Sequence, residues 1–307
     1  RETLELPTLV ADSAREIARI EEAAKEMGIH VSIGLRIHPS FGFAGGRGEP
    51  SKFGIDEEEA ITLLNDWHFP HLSPAGIHVH LKSQELSEEA LALYYENVLL
   101  MAERLGRTEA MELSFVNLGS GIGIPMDPED EEMDLALLEK AFAALAGPFH
   151  DRFPKARLFL ESGRYAPGPS GFYVTKALDR KVSEGKVFLS TAGTMHGFLR
   201  PALARLVEKY DETGHPALCE PLFSGARAFP ISTLREGNPE TVTITGNLCT
   251  AADIIAEDIT LPRLAEGDGI VIGNAGAYAA TLSPFAFSSL ERPKEFLLKE
   301  TGDLEGV

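Results

Sequence analysis

Only two cysteines, Cys219 and Cys249, occur in 307 residues. That is too few for a disulfide framework and fits a reducing compartment, so the expected location is cytoplasmic. The sequence has no run of about 18 apolar residues, the length a membrane-crossing helix needs, and its first residues do not read as a secretory leader. Cations are scarce: 28 Lys and Arg stand against 47 Asp and Glu, a formal net charge of -19. Such a surface disfavours nucleic acid and anionic membranes as partners and favours solubility. Internal repeats and low-complexity segments are absent. What remains is ordinary for a globular chain, 44% hydrophobic and 24% charged, and long enough for two domains.

The first half alternates strand and helix. An apolar strand is expected at 8–11, followed by a Ser13–Glu16 capping box. Ile17, Ile20, Ala24 and Met27 then mark one helix face, which Gly28 ends. Further strands are expected at 30–37, 76–81, 115–118 and 158–161. Between them lie helices opened by Asp56 and Glu59, by Ser87 (to Leu105), and by the segment with Leu135, Leu138, Phe142 and Leu145 on one face.

Strands separated by helices form a parallel sheet with right-handed crossovers. Every expected strand ends in polar or glycine-rich residues: Asp12-Ser13, Arg36, His80 to Ser83, Gly119-Ser120-Gly121 and Glu161-Ser162-Gly163-Arg164. A loaded rim at all the strand ends is the habit of a (β/α)8 barrel, whereas an open doubly wound sheet concentrates its chemistry at one switch point. Five strands do not close a barrel of about 250 residues, so the first strands are expected to precede Arg1. After Gly171 the pattern turns to short β runs at 172–178, 187–190, 241–245, 269–273 and 295–298. The division expected is therefore a partial α/β barrel over 1–170 and an all-β C-terminal domain over 171–307.

Several groupings carry chemistry. A strand delivering Glu161, then Gly163 and Arg164, offers a carboxylate that needs a cation or donor if buried, and an arginine shaped to grip a phosphate. Pyridoxal phosphate needs both, having a protonatable ring nitrogen at one end and a phosphate at the other. Gly119-Ser120-Gly121 can cradle a phosphate with backbone N–H groups or be a plain tight turn. His78 and His80 sit two apart on an expected strand, suiting a stacked imidazole, a core histidine or, less well, a metal pair with His68 and His71 nearby. No metal is expected. Cys249 can be a small buried hydrophobe or a reactive thiol. Tyr278 follows a Gly-Ala pair, and Arg200 follows the turn from Gly193 to Gly197, where it can meet a carboxylate or stay on the surface.

In their order along the chain these segments resemble the fold-type III pyridoxal-phosphate-dependent decarboxylases, the diaminopimelate, ornithine and arginine decarboxylase family. The resemblance runs through Ala11-Asp12-Ser13, Leu35-Arg36-Ile37, Ser51 to Ile55, Gly76 to Gln84, Gly119 to Gly121, Glu161 to Arg164, Ala192-Gly193, Arg200 to Leu203, Cys249 to Asp253 and Gly276-Ala277-Tyr278. It implies a barrel joined to a β domain, with active sites shared across a homodimer, and α-decarboxylation of an amino acid with pyridoxal 5'-phosphate. Glu161 is implied to keep the pyridinium nitrogen protonated and His80 to stack on the ring. Ser83, Gly119, Ser120, Gly121, Gly163, Arg164 and Tyr278 are implied to bind the phosphate. Arg200 matches the holder of a substrate carboxylate, and Cys249 the group that reprotonates the carbanion from the partner subunit.

The match departs at several positions. Neither Lys52 nor Lys82 matches the Schiff-base lysine, which the family carries on its first barrel strand. Lys82 replaces a usual glycine, putting an extra cation near the phosphate. Ser120 replaces the middle of three glycines, Ser190-Thr191 stands where an aspartate is common, and Ala204 replaces a common tyrosine. Thr250 stands at a substrate-binding position where an acid often meets a distal ammonium. The substrate expected is a diaminopimelate- or ornithine-like amino acid, or a carrier-linked or biosynthetic derivative. Because a basic distal group would find no partner at Thr250, simple ornithine or diaminopimelate specificity is disfavoured and the second class preferred. The rival readings are a catalytically silent homologue that binds a partner or regulator, and a pyridoxal-phosphate racemase.

Overall fold

The computed structural model describes residues 9–126, 129–212 and 226–307; Cys219 lies outside them. Two compact units divide the chain. The first comprises residues 1–123 and 132–163, the second 124–131 and 164–307.

The first unit runs β1 (Leu9–Ala11), α1 (Ala14–Met27), β2 (Val31–His38), β3 (Ile55–Asp56), α2 (Glu57–Asn65), β4 (Leu72–His78), α3 (Glu88–Leu105), β5 (Phe115–Asn117), α4 (Leu135–Arg152) and β6 (Arg157–Phe159). All its strands are parallel, in the order β1-β2-β4-β5-β6, with β3 pairing only the end of β2. Neighbours in the sheet follow chain order with no reversal, so there is no switch point, and the sheet is a barrel wall rather than a doubly wound sheet.

Local chemistry sets the elements. Ser13 Oγ accepts from Glu16 N–H, while Glu16 reaches back to the N–H of Asp12, a variant of the capping box. Gly28, at φ 64°, ends α1 in the left-handed conformation. Ile17 and Ala24 are buried and Ile20 partly so; Met27, expected on that face, is the last residue of the helix and 69% exposed. Ile33, Leu35, Ile37, Ile77 and Val116 face Leu91, Tyr94, Val98, Met101 and Leu105 in one core. Glu57 is buried at the start of α2, where its carboxylate accepts from Ser40 N–H and Oγ and pairs with Arg104 of α3. These donors outweigh burial and leave it more acidic than an ordinary glutamate.

The strands stop earlier than the sequence suggests. β4 ends at His78 rather than residue 81, β5 at Asn117 and β6 at Phe159. Just past these ends the backbone still bonds to the neighbouring strand, Val79 N–H to the Asn117 carbonyl and Leu118 N–H to the Phe159 carbonyl, before the chain enters the rim turns.

The second unit holds β7 (Tyr173–Ser183), β8 (Lys186–Thr191), α5 (Arg200–Glu212), β9 (Ile231–Thr233), β10 (Pro239–Thr245), β11 (Ile254–Pro262), β12 (Gly269–Ile272), and the hairpin β13 (Phe296–Leu298) with β14 (Leu304–Gly306). Six strands pair as β11-β10-β8-β7-β12-β9, antiparallel except for β8 with β10. The unit is mostly β rather than wholly so, because α5 interrupts it. Pro201 in the first turn of α5, where a missing N–H costs nothing, is the sequence signal for that helix.

Packing makes two glycine substitutions informative. A Cβ on Gly76 of β4 would overlap the Phe115 ring, whereas one on Gly147 of α4 meets nothing within 4 Å. Gly76→Ala should therefore cost about 1–3 kcal/mol through overpacking. Gly147→Ala should change stability by less than about 1 kcal/mol, because the gain in helix propensity is opposed by crowding of the new Cβ against the Pro148 ring. Equal losses of denaturant midpoint in the two variants would contradict this packing.

Candidate active site

In the first unit the candidate side chains gather where the parallel strands end. Asn117, the last residue of β5, is the hub: its Nδ2 donates to Glu161 Oε1 at 2.8 Å and its Oδ1 accepts from Gly119 N–H at 3.0 Å. Glu161 N–H donates in turn to the Gly119 carbonyl at 2.6 Å. Gly119 and Gly121 both have positive φ, 62° and 88°, and a Cβ on Gly119 would stand 2.6 Å from His80 Nδ1. Only glycine lets this turn lie against that imidazole. Two tyrosines of α3 brace it from below: Tyr95 donates to the Ser120 carbonyl at 2.7 Å, and the Tyr94 hydroxyl lies within 3.0 Å of the Val79 and Leu118 carbonyls. Burial pushes the Tyr95 hydroxyl well above the ordinary tyrosine value, so it stays a neutral donor.

Glu161 departs from the sequence expectation. Its side chain is 55% exposed, and it stands past the end of β6 rather than within a buried strand. His78 Nε2 lies 3.5 Å from its Oε2. His80 stands two residues past the end of β4, and both imidazoles feel the charges of Glu161 and Arg36. The Nε2 of His80 lies 3.0 Å from Ser83 Oγ, and its Nδ1 is buried without a partner among the described residues. Ser120 is buried and its hydroxyl accepts from Ile122 N–H. Gly163 is exposed at the end of the first unit.

Around this rim Arg36 pairs with Asp12 at 3.2 Å, and its guanidinium stacks 4.3 Å from the Phe53 ring centre. Lys82 turns to Glu85 at 2.6 Å and lies 5.4 Å from the Phe43 ring. His71 pairs instead with Glu21, and His68 stacks on Phe69. Among the described residues no three His, Cys, Asp or Glu side chains group as metal ligands.

In the second unit Arg164 and Arg200 are both buried, Arg200 to 1% exposure. Arg200 donates to the Ala277 carbonyl at 3.2 Å and lies 5.1 Å from the Phe229 ring centre. Arg164 lies 5.7 Å from the Tyr278 ring centre, and Tyr278 has a φ of 60°. Burial, then the charge of Arg164, pull Arg200 down to about 10. The two guanidinium groups are thus buried and near enough for each to feel the other's charge. Cys249 is exposed at the tip of the loop between β10 and β11. Thr250 is held locally, its hydroxyl accepting from Ala252 N–H.

Residues 2–168 match the model for the pyridoxal binding domain of pyridoxal-dependent decarboxylases. The chain belongs to that family. Over 301 residues it is 31% identical to a diaminopimelate decarboxylase of Methanothermobacter thermautotrophicus, covering 94% of this chain and 64% of the relative. It is 29% identical to the L-glutamyl-[BtrI acyl-carrier protein] decarboxylase of Niallia circulans, covering 97% and 68%. A crystal structure of Helicobacter pylori diaminopimelate decarboxylase complexed with L-lysine superposes with a TM-score of 0.76 at 24% identity, over 97% of this chain and 69% of that one, and supports the fold. The chain thus spans about two thirds of the length of these relatives.

Sequence reasoning did not single out Asn117, although an asparagine two residues before a Gly-Ser-Gly turn is a capping signal. Among the described residues no helix is long and apolar enough to cross a membrane.

Both rim imidazoles are held below the ordinary histidine value. Burial is the largest cause, Glu161's charge opposes it, and Arg36 adds to it. An unfolded chain takes up these protons near pH 6.5 and the folded one only at lower pH. Their contribution is therefore fully present above about pH 6.5 and is lost as the pH falls below it. Thermal melts from pH 7.5 to 5.5 should show this loss, and the His78→Asn/His80→Asn double variant should flatten it. Parallel acid sensitivity in the two proteins would refute the assignment.

Proposed function

We propose that this chain is the larger part of a pyridoxal-phosphate-dependent amino-acid α-decarboxylase, working in the cytoplasm as a homodimer with shared active sites. The single observation that carries this is the Asn117–Gly119–Glu161 rim in a chain of the pyridoxal-dependent decarboxylase family. Its residues suit the cofactor in two respects. A glycine-only turn lies against an imidazole with a buried, unpartnered nitrogen, and a half-exposed carboxylate is aimed by an amide rather than consumed by a cation. The functional division proposed is a cofactor-binding barrel part over 1–170 and a C-terminal β domain over 171–307.

In this reading Glu161 holds a proton at the cofactor's ring nitrogen and His80 lies flat against the ring. Ser83, Gly119, Ser120, Gly121, Gly163, Arg164 and Tyr278 bind the phosphate. The bound cofactor supplies a cationic ring that takes up the electrons left when the bond from Cα to the carboxylate breaks. Arg200 binds a substrate carboxylate, supported by its burial and by the nearby second guanidinium. Cys249 delivers a proton to Cα from the partner subunit. Lys82, already paired with Glu85, is not assigned to the phosphate.

The substrate proposed lacks a basic distal group, since Thr250 offers no carboxylate and its hydroxyl is engaged by Ala252. An amino acid joined to a carrier, or another biosynthetic derivative, fits; the glutamyl-carrier decarboxylase among the relatives supports this class. The silent homologue and the racemase are less favoured, because the relatives named above are decarboxylases.

In the full-length protein, cofactor absorbance should become fixed to the chain by borohydride. Glu161→Gln should retain the cofactor yet lose at least about tenfold in turnover, the worth of a charged hydrogen bond. Carbon dioxide release should be faster from a carrier-linked or non-basic amino acid than from free diaminopimelate or ornithine. Preference for either of those two over all others would overturn the substrate class, and failure to bind the cofactor would overturn the enzyme.

A further inference from the structure

The loop that carries Cys249 is closed by one buried side chain. Asp253, 3% exposed, ends that loop just before β11. Its backbone carbonyl accepts from Gly246 N–H at 2.9 Å, and its N–H donates to the Thr250 carbonyl at 3.2 Å. Its carboxylate then divides between two segments far apart in sequence. Oδ2 accepts from Leu248 N–H at 3.0 Å, next to the thiol residue, while Oδ1 accepts from Met195 N–H at 3.2 Å. Met195 belongs to the turn in which the Thr194 carbonyl accepts from Gly197 and Phe198 N–H, and that turn leads into α5 and Arg200. Space is closed around the clasp: a Cβ on Gly246 would overlap both the Asp253 carboxylate and the Thr194 hydroxyl. Burial, then the Asp253 charge, push the neighbouring Tyr173 hydroxyl up to about 12.

We infer that Asp253 is a positioning residue whose two carboxylate oxygens fix the Cys249 loop and the turn before Arg200 in one geometry. The chemistry allows no simple substitute. Both oxygens accept from backbone N–H groups, so an asparagine can satisfy one and must turn its own N–H2 toward the other. The inference rests on the proposed roles of Cys249 and Arg200 for its functional consequence but not for its structural one.

Hydrogen exchange on full-length wild type and Asp253→Asn separates the two. The variant should speed exchange about tenfold, the effect of one lost hydrogen bond, in residues 246–252 and 194–198 together. The far ends of β10 and β11 should keep their protection. Thr194→Val, which removes a hydroxyl that has no partner among the described residues, should leave both segments unchanged. Kinetically, Asp253→Asn should lower kcat and raise KM, whereas Cys249→Ala should lower kcat alone. The double variant should be no slower in kcat than Cys249→Ala, as expected of residues acting through one another. Faster exchange confined to one segment, or spread over the whole unit, would overturn the inference. If Asp253→Asn does not fold, wild type still decides: the Leu248 and Met195 amides should open with equal protection, and independent opening would refute the clasp. Should Cys249→Ala leave kcat intact, the role proposed for the thiol falls while the exchange result stands.

Discussion

The rim of the first unit depends on one side-chain amide. Asn117 uses both ends of its carboxamide, donating to Glu161 and accepting from Gly119, at the point where β5 leaves the sheet. A carboxylate or an aliphatic residue there could serve one partner only or neither. Because Glu161 also bonds back to the Gly119 carbonyl, the end of β5, the turn that follows it and the candidate acid beyond β6 move as one piece. The tyrosines of α3 extend that rigidity into the core, since the rings of Tyr94 and Tyr95 are buried while their hydroxyls meet the carbonyls of the rim. Function is thereby mounted on the sheet rather than on free loops, as a constellation of this kind requires.

The second unit solves a similar problem with other means. Its arginines are buried beside aromatic rings, and Arg200 donates to a backbone carbonyl. A buried carboxylate, Asp253, knits two loops by backbone bonds alone. In each unit the chemically exposed groups are few, and the buried polar groups that aim them are tied to main chain rather than to other mobile side chains. Such ties limit the rotamers each group can visit.

Much of this was legible in the residues, and the failures have physical causes. Ser13, Gly28 and Ser87 mark helix ends because caps are local chemistry. Chain-order pairing of the strands follows from the loaded ends of every strand. The exposure of Glu161 was not legible, because an apolar run does not reveal where a ladder loses its partner; β6 ends at Phe159 and the next residues leave it. β11 escaped notice since Glu257 and Asp258 break its apolar run, where the pairing is irregular and Asp258 takes a φ of 54°. Met27 fitted the periodicity of α1 yet lies outside the core, since periodicity describes a helix face without saying how far its neighbour extends.

In the function proposed above, Thr250 shows how such a site can change its preference without being rebuilt. Its hydroxyl closes a small turn by accepting from Ala252 N–H, a task that an aspartate carboxylate performs equally well in an Asx turn. Threonine and aspartate are thus nearly interchangeable for the shape of this loop and opposite in what they offer to a cationic ligand. Selection on ligand charge can act at this position almost independently of selection on folding, leaving an evolutionary path between substrate classes that never crosses an unfolded intermediate.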